Sequence, residues 1–331
     1  MNRTFQPKRV WAISSCLTLL IASSSLHAQE AKSIVVAQNG SGKYNTVQSA
    51  LDAIPLDNKE PIMIFIRKGT YKERLTLEAK KDYVTLVGED RENTILTFDN
   101  HKGSVLPNGD TVNTPTSASF FVFANNFKAR KLTFQNNAGF TAGQAVAVMA
   151  NGDKLIFEDC NFKGFQDVLF CSGAGSRQYY KDCYIEGTTD FIFGPSTVVF
   201  QHCHIHSKKN SHVTAASTPR EVKFGFVFFD CKLTADSTLH GVSLGRPWRP
   251  YSSVTYIRCE IGDHIIPEGW NNWRDSKNEQ TARYAEYKSI GPGAKPGERV
   301  KWSKQLSDDE VKNYTLKNIF DDWNPEGKDK P

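Results

Sequence analysis

An internal repeat constrains the fold of this chain more than any other feature of the sequence. Residues 160–170 and 183–193 both fit the pattern Cys-x-aromatic/Ile-charged-Gly-x-x-Asp-apolar-apolar-Phe, and the two copies are 23 residues apart. Weaker copies, which keep a Cys-x-Ile/Leu core or its Leu-x-Phe equivalent, begin at Leu132, Cys203, Cys231 and Cys259. A period of 20 to 28 residues is typical of stacked structural units, so the repeat predicts a solenoid.

The segments within each unit are rich in β-branched and aromatic residues, as in 196–200 and 223–229. Such short runs between polar breaks predict strands and turns, with no room for a long helix in each repeat. The sequence therefore predicts an all-β parallel solenoid. Helical patterns occur only at 46–54 and 307–319, and we interpret both as short helices that cap the exposed ends of the solenoid.

The first 28 residues have the pattern of a secretory signal peptide. Three basic residues precede an apolar stretch at 10–22, and small residues follow up to Ala28, where we expect cleavage. A transmembrane anchor would need about 20 apolar residues, and this stretch is shorter and is interrupted by Ser14 and Ser15. We therefore expect an exported protein, periplasmic or secreted, without a membrane attachment after cleavage.

Removal of this segment changes the overall charge. The 331-residue chain has a formal net charge of +5 and seven cysteines, and residues 1–28 contain three basic residues, no acidic residue and one cysteine. The remaining charge of +2 gives no reason to expect a nucleic-acid partner. We expect one β-helix domain at 29–324 and a loose tail at 325–331.

Two aspartates occupy equivalent positions of the repeat. Asp167 and Asp190 should face each other, because residues one coil apart stack about 4.8 Å apart along the axis. Gln144 lies 22 residues before Gln166 and should belong to the same column. Two carboxylates this close cannot both ionise freely, so one can remain an ionised nucleophile while the other keeps a proton.

The residue pattern around this aspartate pair is open to two more interpretations. Both aspartates could be turn residues that solenoids repeat, although the apolar runs at 168–170 and 191–193 make an idle carboxylate costly there. A retaining glycosidase also uses two carboxyl groups, roughly 5 to 5.5 Å apart. The neighbouring amides favour acyl transfer, because neutral donors aimed at one point suit a developing oxyanion.

The sequence also contains a series of motifs that resembles the pectin methylesterases (pectinesterases) of bacterial type, which are carbohydrate esterases. The motifs span nearly all of the chain after residue 28 and occur in one order. They are Gly40–Gln48, Lys68–Glu73, Gln135–Gly139, Gln144–Ala147, Gly164–Asp167, Gly187–Gly194, Leu244–Trp248 and Pro267–Trp273.

The resemblance implies a right-handed parallel β-helix and hydrolysis of galacturonate methyl esters in pectin through a covalent acyl-aspartate. It implies that Asp190 is the nucleophile and Asp167 the acid and then the base. Gln144 and Gln166 would stabilise the oxyanion, and Arg246 would hold Asp190 ionised. The implied substrate contacts are Thr114, Gln144, Phe193, Arg246 and Trp248. From the residues alone, Arg246 could instead pair with a surface carboxylate, and Trp248 could be a packing residue.

The resemblance further implies a candidate disulfide between Cys183 and Cys203, which occupy positions that are bonded in some bacterial relatives. The other cysteines, at 160, 171, 231 and 259, should form an inward-facing ladder. His202, His204 and His206 alternate along one strand, so a zinc site is conceivable, but no fourth ligand is nearby and a solvated outer face is the simpler interpretation. We expect no metal and no cofactor.

Four positions depart from the family pattern. Val168 and Phe170 replace a threonine and a tyrosine, and Ser117 and Ser119 replace two threonines. The first two changes remove hydroxyls and leave the sugar preference of the site open.

We expect a monomeric enzyme acting on methylated homogalacturonan or a related pectic polysaccharide. The alternatives are a β-helix pectate lyase or polygalacturonase-like glycosidase that cuts the backbone, and a non-catalytic pectin-binding solenoid. The sequence shows no acidic calcium cluster of the kind a lyase needs, and a binding solenoid would not need both aspartates.

Overall fold

The structure is a computed structural model, which describes residues 1–4 and 32–327. The expected signal peptide and residues 328–331 of the expected tail lie outside the described part, apart from residues 1–4. From Lys32 onward the chain winds into a parallel β-helix with three sheets, in which each coil contributes strands to successive sheets. The predicted all-β solenoid is confirmed.

All strand pairs within the three sheets are parallel, and neighbouring strands come from successive coils. Sheet A contains Lys32–Val36, Ile62–Ile66, Val84–Gly88, Lys128–Arg130, Leu155–Glu158, Arg177–Lys181, Thr197–Gln201, Phe226–Phe229, Ser253–Ile257, Arg283–Tyr287 and Lys304–Gln305. Sheet B contains Gly69–Lys72, Thr94–Phe98, Thr133–Asn136, Asn161–Lys163, Tyr184–Gly187, His204–Ser207, Lys232–Ala235 and Glu260–Ile261. Sheet C contains Leu75–Leu77, Phe120–Val122, Val148–Ala150, Leu169–Cys171, Ile192–Gly194, His212–Ala216 and Ser243–Gly245.

Helices are few and short. Among the residues that the structure describes, the two α-helices are Val47–Asp52 and Leu316–Phe320, and the 3₁₀ helices are Pro115–Ser117, Ser276–Gln280, Pro296–Glu298 and Val311–Asn313. The helical pattern predicted at 307–319 is thus divided into a 3₁₀ turn and a five-residue helix.

The corner from sheet A to sheet B has the same construction in successive coils. A residue with φ between 51° and 54° turns the chain, and the residue after it is the cysteine or leucine that begins each copy of the repeat. The left-handed residues are Lys131, Asp159, Asp182, His202, Asp230 and Arg258. The cysteines that follow them are buried, and each thiol of the later coils donates to a carbonyl of the preceding coil, as Cys231 does to Phe200 (3.4 Å). The predicted inward ladder is confirmed for Cys160, Cys231 and Cys259. Cys171 is buried too, but it lies on a strand of sheet C and is not part of this corner ladder, and Cys183 and Cys203 occupy ladder positions instead.

Aromatic rings stack inside the solenoid along the same axis. Phe157, Tyr180, Phe200, Phe228 and Tyr256 lie on consecutive strands of sheet A, with ring centroids 4.3 to 5.0 Å apart. This spacing is close to the separation of neighbouring strands, about 4.8 Å. Register between coils and packing of the core therefore support each other.

Helix Val47–Asp52 covers the N-terminal end of the core. Val47, Ala50 and Leu51 are buried against the first coils. The Glu73 carboxylate accepts hydrogen bonds from the backbone N–H groups of Val47 and Gln48, both 3.0 Å long, and so satisfies two donors at the helix N-terminus. The predicted N-terminal cap is confirmed.

The C-terminal helix does not cap the other end, and the prediction that it does was wrong. Ile319 and Phe320 pack against Tyr179, Val199 and Ile257, which are apolar residues on the outer face of sheet A. An apolar outer face needs a cover, and the C-terminal segment provides it. The contact extends into the predicted tail, because the Tyr179 hydroxyl donates to Glu326 (3.2 Å).

A buried ion pair and large aromatic residues close the C-terminal end instead. Trp270 and Tyr284 belong to the core, and Trp302 packs against it. Arg299 donates to both carboxylate oxygens of Glu286 (2.7 and 3.2 Å), and the two side chains are 2% and 4% exposed.

We predict that Arg299→Met lowers the free energy of unfolding by about 3 to 5 kcal/mol, because it leaves the Glu286 carboxylate buried without a partner. The double variant Arg299→Met/Glu286→Leu should recover much of this loss. Arg258→Met is the matched control, since its pair with Asp230 is largely exposed and should be worth less than about 1 kcal/mol. Urea unfolding measures the free energy of unfolding of all three variants. An Arg299→Met protein as stable as Arg258→Met would contradict the prediction.

Candidate active site

The turns that lead from sheet B into sheet C carry the two aspartates. Asp167 and Asp190 both have left-handed backbones, with φ of 65° and 51°. Two residues further on, Leu169 pairs with Ile192, so the aspartates lie at equivalent positions of neighbouring coils. The turn interpretation is thus correct for the backbone, but both side chains point into a buried environment, with residue exposures of only 8% and 6%.

Arg246 lies next to Asp190. It follows the last strand of sheet C, Ser243–Gly245, and its guanidinium donates two hydrogen bonds to the Asp190 carboxylate. Nε lies 2.9 Å from Oδ1, and Nη2 lies 2.6 Å from Oδ2. The Trp273 ring stacks on the guanidinium, 3.7 Å from ring centroid to Cζ. Because the pair is bidentate and stacked, it fixes the direction in which Asp190 points.

Burial and charge separate the two carboxyl groups. Burial and the nearby Asp190 charge raise the pKa of Asp167 to about 8. Burial also raises the pKa of Asp190, but the hydrogen bonds and the positive charge of Arg246 oppose that rise. At neutral pH, Asp167 therefore carries a proton, whereas Arg246 favours the ionised form of Asp190.

The two glutamines lie on the coils that precede Asp190. Gln144 and Gln166 form a parallel bridge, and the Ala145 N–H donates to the Gln166 carbonyl (3.0 Å). Both residues line the same cleft as the aspartates. Three successive coils thus present an amide, an amide with a carboxyl group, and a carboxylate, as the repeat predicted.

An apolar ladder lies on the outer face of sheet C, and three of its members, Phe170, Phe193 and Ala215, line the cleft. Phe121, Met149, Phe170, Phe193 and Ala215 lie in register on five consecutive strands. The rings of Phe170 and Phe193 stack 4.4 Å apart and only 3° from parallel. The cleft has a volume of about 310 Å³.

All of the predicted site residues line this cleft. The predicted set is Thr114, Gln144, Gln166, Asp167, Asp190, Phe193, Arg246 and Trp248. Trp248 packs edge-on against Phe193, with ring centroids 6.0 Å apart, so it has a packing role as well as a place in the cleft.

Several lining residues were not predicted from the sequence. Phe170 and Trp273 both line the cleft. Phe170 shares its repeat position with Phe193, which was a usable signal, and Trp273 ended a motif to which no role was assigned. His212 lies nearby and hydrogen-bonds Ser243 through Nδ1 (2.7 Å). Burial and the Arg246 charge lower the pKa of His212 to about 4, so it is neutral here.

The cysteine and histidine candidates form no additional site. Cys183 and Cys203 are free, buried thiols, so the candidate disulfide is not formed in this structure. His204 and His206 hydrogen-bond the same hydroxyl, that of Thr234. Within residues 1–4 and 32–327, no three His, Cys, Asp or Glu side chains are grouped as a metal ion would require.

The fold and the site define a β-helical hydrolase with two aspartates. The pectinesterase family model matches residues 33–322, and the chain belongs to this family. It is 38% identical over 307 residues to putative pectinesterase 11 of Arabidopsis thaliana, covering 91% of this chain and 83% of that protein. It is 37% identical to pectinesterase 31 of the same plant, covering 86% and 91%.

Solved structures agree with this assignment. The pectin methylesterase from carrot is 34% identical with a TM-score of 0.80, covering 86% of this chain and 92% of that chain. The pectin methylesterase PemA from Erwinia chrysanthemi is 28% identical, also with a TM-score of 0.80, covering 90% and 99%. The fold is therefore the right-handed parallel β-helix of these enzymes. The similar proteins include plant and bacterial enzymes, so the bacterial type expected from the motifs is not supported.

In the part of the chain described by the structure, no helix has the length and apolar character needed to cross a membrane.

We predict that Asp167→Asn stabilises the fold as the pH rises. The native protein holds a proton on Asp167 up to about pH 8, whereas the unfolded chain releases it near the ordinary pKa of 3.8. The wild type therefore loses stability between these values, and asparagine does not titrate. At pH 8 the free energy of unfolding of Asp167→Asn should exceed that of the wild type by at least about 1 kcal/mol.

The control is Asp182→Asn, because Asp182 has the same left-handed turn conformation but a 57% exposed side chain. Chemical unfolding at pH 4 to 8 measures the difference. An equal pH dependence of Asp167→Asn and wild type would show that Asp167 is not a buried acid.

Proposed function

We propose that the protein hydrolyses methyl esters of galacturonate in pectin, giving pectate and methanol. The observation that carries this proposal is the division of the aspartate pair: Asp190 is bound by the Arg246 guanidinium through two hydrogen bonds, while Asp167 has no such partner in the described part of the chain and a pKa of about 8. Membership of the pectinesterase family and the named pectin methylesterase structures support the same reaction.

In the first step, the Asp190 carboxylate attacks the C6 carbonyl carbon of the ester. The carbonyl oxygen becomes an oxyanion, which the side-chain N–H groups of Gln144 and Gln166 stabilise. The carbon–methoxy bond then breaks, and Asp167 gives its proton to the departing methanol. The product is an acyl-aspartate, a mixed anhydride between the sugar and Asp190.

In the second step, Asp167 is a carboxylate and takes a proton from a water molecule. The water oxygen attacks the same carbonyl carbon, and the bond to Asp190 breaks. The sugar leaves as a carboxylic acid, while Asp190 returns to its ion pair with Arg246 and Asp167 is protonated again. No metal or cofactor is required by this sequence of steps.

The cleft supplies contacts for the sugar around the reacting ester. Trp248 and Phe193 offer apolar surface, and Thr114 also lines the cleft. One pectin methylesterase that is 28% identical to this chain has been solved in complex with a hexasaccharide, which supports a polymeric substrate, such as methylated homogalacturonan or a related pectic polysaccharide. The backbone-cutting and non-catalytic alternatives receive no support from the similar proteins.

Export fits this substrate. The basic, apolar and small-residue pattern of residues 1–28 supports a signal peptide, followed by a single β-helix domain that acts in the periplasm or outside the cell. We further propose that the enzyme acts as a monomer.

We predict that Asp190→Asn abolishes methanol release from methylated pectin, because an amide cannot form the acyl intermediate. Asp230→Asn is a matched control: Asp230 also has a left-handed backbone and a bidentate arginine partner, but lies on the outer corner of the solenoid. A methanol assay and a circular dichroism spectrum distinguish lost chemistry from lost folding. Methanol release by a folded Asp190→Asn protein would remove Asp190 from the nucleophile role.

We predict that kcat/KM for methanol release falls above about pH 8, by up to tenfold for each further pH unit. Acylation needs the proton on Asp167, which is lost as the pH rises through that pKa. The rate should also fall in acid, where Asp190 becomes protonated. A rate that continues to rise through pH 9 and 10, after correction for alkaline ester hydrolysis, would contradict the role of Asp167 as the acid.

A further inference from the structure

A second group of side chains lies along the row of turns that carries the aspartates. Phe140 is 52% exposed, on a turn between Gly139 and Gly143, which have φ of 107° and 83°. It precedes Gln144 by four residues. Its ring lies edge-on to that of Phe165, with centroids 6.0 Å apart, and Phe165 directly precedes Gln166. A single exposed ring is not unusual, but here two rings lie together beside the candidate site.

Two lysines on the same row of turns, two coils beyond Phe165, lie over these rings. The Lys208 ammonium is 4.2 Å from the Phe165 ring centroid, and that of Lys209 is 5.9 Å from the Phe140 centroid. Lys208 also donates to the Glu186 carboxylate and to the Gly164 carbonyl, both at 2.9 Å. Its charge is therefore neutralised, and it holds the turn before Gln166 in place.

Lys209 differs from its neighbour. It is exposed, and it forms no ion pair with any residue in the described range 32–327. An unpaired cation beside an exposed aromatic ring is available for a ligand that has both an apolar face and a negative charge. Phe140, Phe165, Lys208 and Lys209 together form an aromatic–lysine patch.

The patch lies beside the cleft, on the turns that connect the strands of sheet B to those of sheet C. Gln144, Gln166 and Asp167 lie on the same turns as Phe140 and Phe165. The patch residues do not line the cleft itself, but they lie on the next residues of the same turns, within reach of a sugar that flanks the one over Asp190.

A de-esterified galacturonate has the chemistry that the patch fits. The C–H face of a sugar ring can pack on Phe140, and the carboxylate can pair with Lys209, whereas a methyl ester has no charge for the lysine to attract. The proposed reaction itself produces such carboxylates along the polymer.

We propose that the aromatic–lysine patch is a subsite that binds a de-esterified galacturonate flanking the ester under attack. This proposal rests on the proposed function. Phe140 supplies the stacking surface, Lys209 selects the free carboxylate, and Lys208 is a positioning residue that braces the turn of Phe165.

The test compares methylated oligogalacturonides that are fully esterified with others that have one free carboxylate at a defined position. For wild type, we expect a lower KM when the free carboxylate occupies one particular position beside the cleaved ester. Lys209→Gln should raise that KM about two- to fivefold, the effect of one exposed ion pair, and leave the fully esterified substrate unchanged. Lys209→Arg should retain the preference, and added salt should weaken it in wild type.

Phe140→Ala should raise KM for both substrates, because stacking does not depend on the charge. Lys59→Gln is the matched control: Lys59 is an exposed lysine in the loop before the second strand of sheet A, away from the cleft, and its loss should change neither substrate. The ratio of KM for the fully esterified substrate to KM for the substrate with one free carboxylate measures the preference. An equal ratio for wild type and Lys209→Gln would overturn the subsite. Absence of methanol release from every substrate by wild type would instead overturn the proposed function.

Discussion

The in-register parallel pairing of successive coils is the constraint on which the site depends. Leu169 pairs with Ile192 and Phe170 with Phe193, so side chains that are 23 residues apart in sequence become neighbours at the spacing of adjacent strands. The same pairing aligns the stacked rings from Phe157 to Tyr256. A shift of the pairing register by one residue would turn the aromatic rings outward, and it would also move the two aspartates apart. The core packing that fixes the register thereby also fixes the geometry of the candidate site.

This geometry brings together two acids that repel each other in a buried place. Removing a carboxylate from water is unfavourable, and a second one nearby increases the cost. One acid meets this cost by keeping its proton, and the other by binding the guanidinium of Arg246. The Trp273 ring covers the guanidinium on one face and reduces its freedom to turn towards water. The proposed chemistry therefore comes at some expense of stability, as is common for active sites.

The sequence was most informative for site residues that occupy equivalent positions of the repeat. The positions of Asp167, Asp190 and the two glutamines could be predicted because a repeat period translates directly into stacking along the axis. Trp273 could not be assigned in the same way, because its contact with Arg246 depends on a loop outside the repeated pattern. The helical pattern at 307–319 showed an apolar face but not its partner, and the partner is the outer face of sheet A around Tyr179. Cys183 and Cys203 stack as the repeat requires, yet stacking alone does not decide whether two thiols are bonded.

The closure of the C-terminal end connects the stability of the solenoid to the site. Arg299 donates to the carbonyls of Ile266 and Pro267 as well as to Glu286. The next turn contains Gly269, where a Cβ atom would lie 2.5 Å from Arg299 Cδ, so the side chain packs directly on this backbone. The Gly269 carbonyl accepts a hydrogen bond from the Leu244 N–H (2.7 Å), two residues before Arg246. The segment then continues to Trp273, which stacks on the Arg246 guanidinium. Because both the strand before Arg246 and the ring above it are held by this last turn, the buried ion pair at the end of the solenoid supports the orientation of Arg246, and through it that of Asp190.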